Sequence, residues 1–189
     1  MYAGLLRVPA GIMAEIVAHA QAASPHEACG LLRGRDGVVT ALARGVNEAA
    51  QPATRYQLDA ATLLQQLDWD ARGEALLALY HSHPTSPAWP SLLDAAWAYY
   101  PDAVTVICSL GGLMPVVRGY RLARHPLTAR PSGVQPVAGE SALWAMPLAD
   151  GYAFVQRRAN AEDWFRVEVL EVQLETIEAT WQTHASVLE

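Results

Sequence analysis

Apolar positions along the chain switch between a period of about two residues and a period of about 3.6, and the switches mark the elements. Leu5 to Val8 is a short apolar run that predicts a strand, closed by Pro9-Ala10-Gly11. Ile12, Ile16, Val17 and Ala20 then recur at helical spacing, so Ile12 to Ala23 predicts an amphipathic helix stopped by Ser24-Pro25. Glu27 to Arg33 and Val38 to Val46 predict two strands joined by the hairpin turn Gly34-Arg35-Asp36-Gly37. Asn47 to Thr54 is a polar loop, and Arg55 to Leu58 a short strand. Asp59 is a plausible N-cap for a helix running to about Arg72, with Leu63, Leu64 and Leu67 on one face.

Ala75 to Tyr80 is a continuous apolar run, the mark of a buried central strand. Ser91 to Tyr100 predicts a helix and Ala103 to Ser109 a second buried strand, turned by Gly111-Gly112. Met114 to Leu122 is the last strand of this series. Residues His125 to Ala161 change character: Pro126, Pro131, Pro136 and Pro147 interrupt a weak periodicity, and the segment predicts a long insertion, lid-like in character. Trp164 to Leu174 alternates as a strand does, and Glu175 to Leu188 predicts a terminal helix. The series implies a single α/β domain over residues 1–189, with helices covering both faces of a central mixed β-sheet.

Composition narrows the function. Of the 189 residues, 52% are hydrophobic and 17% charged, a globular balance. The formal net charge is −6, and no basic cluster is longer than Arg157-Arg158, which argues against a nucleic-acid partner. The first ten residues lack the basic and apolar regions of a signal peptide, and no run of 18 apolar residues predicts a membrane span. A cytoplasmic protein without a membrane partner is therefore expected. Cys29 and Cys108 have no metal-binding spacing; two reduced, buried thiols are expected, and a disulfide between them is left open. All 13 basic residues are Arg. Codon bias in a GC-rich genome accounts for that; the alternative is a surface that escapes lysine modification.

The chemistry concentrates in His81-Ser-His-Pro-Thr-Ser-Pro-Ala-Trp-Pro-Ser-Leu-Leu-Asp94. His81 and His83 end a buried strand, and its period of two projects both imidazoles from one face. Pro84 ends the strand. Ser91 is a candidate N-cap, and Asp94, three residues on, lies in the first helical turn where it can face the histidines. Two neutral His and one carboxylate leave a tetrahedral zinc ion one open position, the count of a catalytic rather than a structural site. Hydrolysis then needs a base and an oxyanion donor. Glu27 is the leading candidate for the first and Ser91 for the second. Each residue also has a plainer reading: Ser91 as a helix cap, Asp94 as a carboxylate on a helix dipole, Glu27 as a solvated strand edge. His26 adjoins Glu27 but points to the opposite face, and His19, His125 and His184 are read as structural or exposed.

With those residues quoted, the chain resembles the JAMM (MPN+, Mov34/PAD-1) metallopeptidases, in particular their small prokaryotic members. The resemblance rests on Glu27-Ala-Cys29-Gly30-Leu31-Leu32, on His81 through Asp94, and on Asn47 to Asp59 with Arg55-Tyr56, and it covers roughly residues 3–122. It implies a cytidine-deaminase-like fold and one Zn²⁺ per chain. His81, His83 and Asp94 would be the ligands, Glu27 the general base and Ser91 the oxyanion donor. It further implies cleavage after the C-terminal glycine of a ubiquitin-like or sulfur-carrier β-grasp protein. The extended tail of such a substrate could pair with an exposed edge, for which Asn47 to Tyr56 is the candidate. The region after residue 122 departs from the family pattern. Trp144 and Trp164 there fit a core, a lid or a homodimer contact. Two alternatives remain: a non-catalytic MPN-type scaffold, which the complete motif disfavours, and a DNA-repair-associated relative, which the acidic charge disfavours.

Overall fold

The computed structural model describes residues 4–178. The elements are β1 (Leu5–Pro9), α1 (Ala10–Ala23), β2 (Cys29–Arg35), β3 (Val38–Gly45), α2 (Ala60–Ala71), β4 (Ala75–His83), α3 (Leu92–Ala96), β5 (Val104–Ser109), β6 (Val116–Pro126), β7 (Gln135–Pro136), β8 (Leu143–Leu148), β9 (Gly151–Arg157) and β10 (Glu162–Ile177). The strands form one sheet in the order β1-β3-β2-β4-β5-β6-β10-β9-β8-β7. β10 also pairs in parallel with β1, from Leu5↔Gln173 to Pro9↔Ile177, so the first seven strands of that order close on themselves.

Local chemistry explains most of these elements. β2 and β3 meet at Asp36 (φ 51°) and Gly37 (φ 77°), the left-handed pair that a two-residue hairpin turn requires. The carboxylate of Asp59 accepts the Thr62 N–H at 2.9 Å and caps α2. Alternation splits the core: Leu32 of β2 faces α1, in a cluster with Ile16, Ala20, Tyr80, Val106 and Cys108, whereas Leu31 faces α2 with Cys29, Leu58 and Trp69. A third cluster joins Ala88, Ala95 and Ala96 around α3 to Tyr120, Leu143, Phe154 and Phe165. β4 runs between β2 (antiparallel) and β5 (parallel) and is buried from Tyr80 to its last residue. Both of its edges are used, so its C-terminal end is a rigid platform.

Several expectations need correction. Residues 125–161 are not a lid. β7, β8 and β9 continue the sheet beyond β10, with Leu143, Ala145, Ala153 and Phe154 buried. Glu175 to Ile177 are not helical; they extend β10, because Thr176 and its neighbours find parallel partners in β1. The rest of the expected terminal helix lies outside the described residues. Arg55 to Leu58 reduces to one isolated bridge, Asn47↔Leu58, so Asn47 to Tyr56 presents no strand edge to a substrate tail. α3 stops at Ala96, well short of Tyr100. Trp144 lies half-buried with the Arg157 guanidinium over its ring, 4.7 Å from the centroid. Both thiols are free and buried, and burial pushes Cys29 up to about 12 and Cys108 to about 11.

Candidate metal centre

The period-two geometry of β4 brings His81 and His83 to one face, with their Nε2 atoms 3.1 Å apart. Both are buried. His83 donates Nδ1–H to the carbonyl of Pro87 at 2.8 Å; a carbonyl only accepts, so this bond fixes the tautomer and leaves the Nε2 lone pair facing the site. His81 has no such partner at Nδ1 among the described residues, and the Tyr56 ring covers its face, stacked at 4.5 Å with an interplanar angle of 19°.

Asp94 reaches the histidines because Ser91 shapes the start of α3. The Ser91 hydroxyl accepts the Asp94 N–H at 3.1 Å, and Asp94 Oδ2 accepts the Ser91 N–H at 2.7 Å, a reciprocal capping box. So held, Asp94 lies with Oδ1 3.3 Å from His81 Nε2 and Oδ2 3.4 Å from His83 Nε2. Burial alone would raise the Asp94 carboxyl; the facing His81 and His83 outweigh it and hold the group well below the usual carboxylate range. For His83 burial works against the charged form, and the Asp94 carboxylate more than offsets it.

These three side chains are the one cluster among the described residues that could hold a metal ion. Tetrahedral bonds of 2.0–2.1 Å imply ligand separations of about 3.3–3.4 Å. The two imidazole nitrogens, 3.1 Å apart, stand close to that edge length, and the carboxylate faces each of them through a different oxygen, at 3.3 and 3.4 Å, so the donor set fits a small ion taking nitrogen and oxygen ligands.

Glu27 precedes β2 by two residues and is 6% exposed. Burial pushes its carboxyl up to about 7, His81 pulls it down, and Asp94 adds to the rise. Its backbone is fixed from three sides. Glu27 N–H donates to Pro52 O at 2.7 Å, and its carbonyl accepts from Asn47 Nδ2 at 3.0 Å. Ala28, next in line, exchanges two hydrogen bonds with Ser82, the residue between the histidines. The carboxyl is thus a buried, protonatable group beside the three-residue cluster. Ser91 is an exposed residue at the edge of that cluster, and its hydroxyl, which accepts the Asp94 N–H, keeps its own O–H as a donor.

The loop between His83 and Ser91 is anchored by residues that the motif does not contain. Ser109 donates its hydroxyl to Ser86 O, Leu110 N–H binds His83 O, and the Tyr120 hydroxyl binds Ala88 O. Tyr152 of β9 donates to Pro90 O at 3.0 Å. Arg55, beside Tyr56, forms an ion pair with Glu140 in the β7–β8 connection, joining the loop on the Glu27 side to the additional strands. Sequence reading gathered Glu27, His81, His83, Ser91 and Asp94. It named Asn47 and Tyr56 only within a candidate edge for the substrate tail and gave Ser82 no role; Tyr56 meets His81 and Ser82 meets Ala28 across a long stretch of chain.

The family described as prokaryotic homologs of the JAB domain matches residues 9–123, from the end of β1 into β6. A probable TtuB-protein conjugate cleaving protease of Thermus thermophilus is 40% identical over 101 residues, 51% of this chain and 68% of the relative. A CysO-cysteine peptidase of Mycobacterium tuberculosis is 32% identical over 135 residues, 69% of this chain and 91% of the relative. The solution structure of DSY2949 from Desulfitobacterium hafniense shares the fold with a TM-score of 0.62 at 24% identity, covering 95% of this chain and 97% of that one. That coverage extends the shared fold into the strands after residue 123. With more than half its length matched, and with named relatives that are peptidases, the chain belongs to the family of prokaryotic homologs of the JAB domain.

Proposed function

We propose that this chain is a zinc-dependent peptidase that cleaves after the C-terminal glycine of a ubiquitin-like or sulfur-carrier β-grasp protein. The observation that carries the reading is the convergence of two imidazole nitrogens and one carboxylate beside a buried, protonatable Glu27. The names of the two relatives, one acting on a protein conjugate and the other on a cysteine adduct, support the substrate class.

His81, His83 and Asp94 would hold the ion. Zinc in such a site supplies Lewis acidity and brings the pKa of a water down to roughly 7. Glu27 takes a proton from the attacking water as its oxygen bonds to the carbonyl carbon. The same carboxyl then passes that proton to the nitrogen as the C–N bond breaks. A carboxyl held near 7 suits both halves of this transfer at neutral pH. The Ser91 hydroxyl donates to the oxygen that carries negative charge in between.

The test uses the purified, zinc-loaded protein and small β-grasp carrier proteins extended at the C-terminus, with products read by mass spectrometry. Glu27→Ala is expected to retain zinc and lose hydrolysis, whereas His83→Ala loses both. A fully active Glu27→Ala variant would sink the assignment of the base. A wild-type protein that takes up no zinc would favour the scaffold reading instead.

A further inference from the structure

A metal-bound histidine normally gives its second ring N–H to a carboxylate, a carbonyl or a water, and that bond sets the ring's orientation. His83 follows the rule through Pro87. His81 differs: its Nδ1 is buried and meets no hydrogen-bond partner among the described residues, and the side chain is 0% exposed. What touches the ring is Tyr56, in a nearly parallel stack.

Tyr56 sits on a loop rather than on a strand, so something must hold it there. Asn47 does so with every bond its amide can make. Its Nδ2 donates to the carbonyls of Arg55 (2.9 Å) and Glu27 (3.0 Å), with Pro52 O at 3.4 Å. Its Oδ1 accepts the N–H groups of Gln57 (3.1 Å) and Ala49 (3.0 Å). The partners fix the amide's orientation without ambiguity, because Nδ2 meets only carbonyls and Oδ1 only N–H groups. Arg55 and Gln57 flank Tyr56. One side chain therefore clamps both neighbours of the stacking ring, and with them the carbonyl of Glu27.

We propose that Tyr56 is a positioning residue for His81, its stacked ring fixing the plane of the imidazole and so the aim of Nε2, and that Asn47 holds Tyr56 in that place. The proposal rests on the reading that His81 binds zinc. A structural alternative is that Tyr56 only packs against the core cluster of Cys29, Leu31, Leu58 and Trp69, beside which it lies partly buried. The two differ in what happens to the metal when the fold survives.

The experiment measures zinc affinity by competition with a chromophoric chelator, together with the visible bands of the cobalt-substituted protein. Variants are Tyr56→Phe, Tyr56→Leu, Asn47→Ala and the Asn47→Ala/Tyr56→Leu pair, each checked for folding by circular dichroism. Loss of such an outer support costs about tenfold to a hundredfold in metal affinity. Tyr56→Leu is expected to weaken zinc by about tenfold or more and to shift the cobalt bands, while Tyr56→Phe, which keeps the ring, stays within about threefold of wild type. Asn47→Ala leaves Tyr56 in the chain and carries the same expectation as Tyr56→Leu, which covers the case of a Leu variant that does not fold. The pair is expected to be no weaker than Tyr56→Leu alone, since Asn47 acts through Tyr56. A folded Leu variant with wild-type affinity and unmoved bands overturns the proposal, as does a Phe variant as weak as Leu. Wild-type protein without zinc affinity overturns the functional reading along with it, so the two failures are distinguishable.

Discussion

Ser82 and Ala28 are locked to each other twice: the Ser82 hydroxyl accepts the Ala28 N–H at 2.8 Å, and the Ser82 N–H donates to the Ala28 carbonyl at 2.9 Å. Ser82 lies between the histidines and Ala28 follows Glu27, so this lock sets Glu27 against His81 and His83. Ser82→Ala strands a buried N–H, at a cost of about 1–3 kcal/mol in stability. It also loosens Glu27 from its register, and a misplacement on the order of 1 Å costs up to about a hundredfold in rate. The expected outcome is a kcat lowered by roughly ten- to a hundredfold with zinc content unchanged. Steady-state kinetics and metal analysis check it.

The raised Glu27 carboxyl predicts a pH signature in the metal-free protein. Its folded value, about 7, lies above the ordinary carboxylate value of 4.5. The folded state therefore binds the proton more tightly, and the stabilisation is fully present below about pH 4.5. It is lost as pH rises through 7. Relative to Glu27→Gln, which cannot ionise, wild type should lose roughly 2–4 kcal/mol between these limits and change no further above them. Denaturant melts of both proteins from pH 4 to 8 measure the difference; parallel curves would contradict it.

Gly111 lies against the motif loop so closely that a Cβ there would sit 2.4 Å from Thr85 O. The contact is with backbone, which cannot rotate away. Gly111→Ala should push the Thr85–Ser86 segment outward and strain the Ser109 bonds to Ser86 and Gly111. Overpacking of this kind costs about 1–3 kcal/mol. We expect a lower melting temperature and weaker zinc binding together. Gly112→Ala is the control, because its nearest neighbour is at 3.5 Å.

Arg55 and Glu140 join the two sides of the site and are only partly exposed. A double-mutant cycle with Arg55→Ala and Glu140→Ala should give a coupling of about 0.5–1 kcal/mol in stability, falling as salt is raised. Because Arg55 adjoins Tyr56, both single variants should also lower kcat/KM modestly, and by equal factors. Unequal losses would mean that one of the two residues has a separate task.

Much of the site could be read before any coordinates, because its information is local. The period of a strand places His81 beside His83, and a helix N-terminus places Ser91 beside Asp94; both relationships span at most three residues. What could not be read depends on distant partners. Nothing around Tyr56 reveals that its ring lies on His81, 25 residues later, and Asn47 looks like any loop asparagine. The strands β8 and β9 did carry a signal: Leu143 and Ala145 alternate inward, and Asp150-Gly151 marks the turn between the strands. Four prolines between His125 and Ala161 masked it. β10 defeated the helix expectation at Glu175 for another reason. Its last residues are extended because β1, from the other end of the chain, lies beside them.

That closure also orders events during synthesis. Arg7 and Glu175, partners at 2.8 Å, stand 168 residues apart. On β1's other side Arg7↔Val38 pairs with β3, so the longer of β1's two ladders waits for β10. At about 5–20 residues per second the wait is on the order of ten seconds or more. β2, β4 and β5 are all made long before it ends. The nascent chain can therefore assemble the histidine-bearing strand early, with Leu6 and Val8 packed on Ile16, Leu32 and Val39, while the parallel ladder of Leu5–Pro9 closes only once β10 has been made.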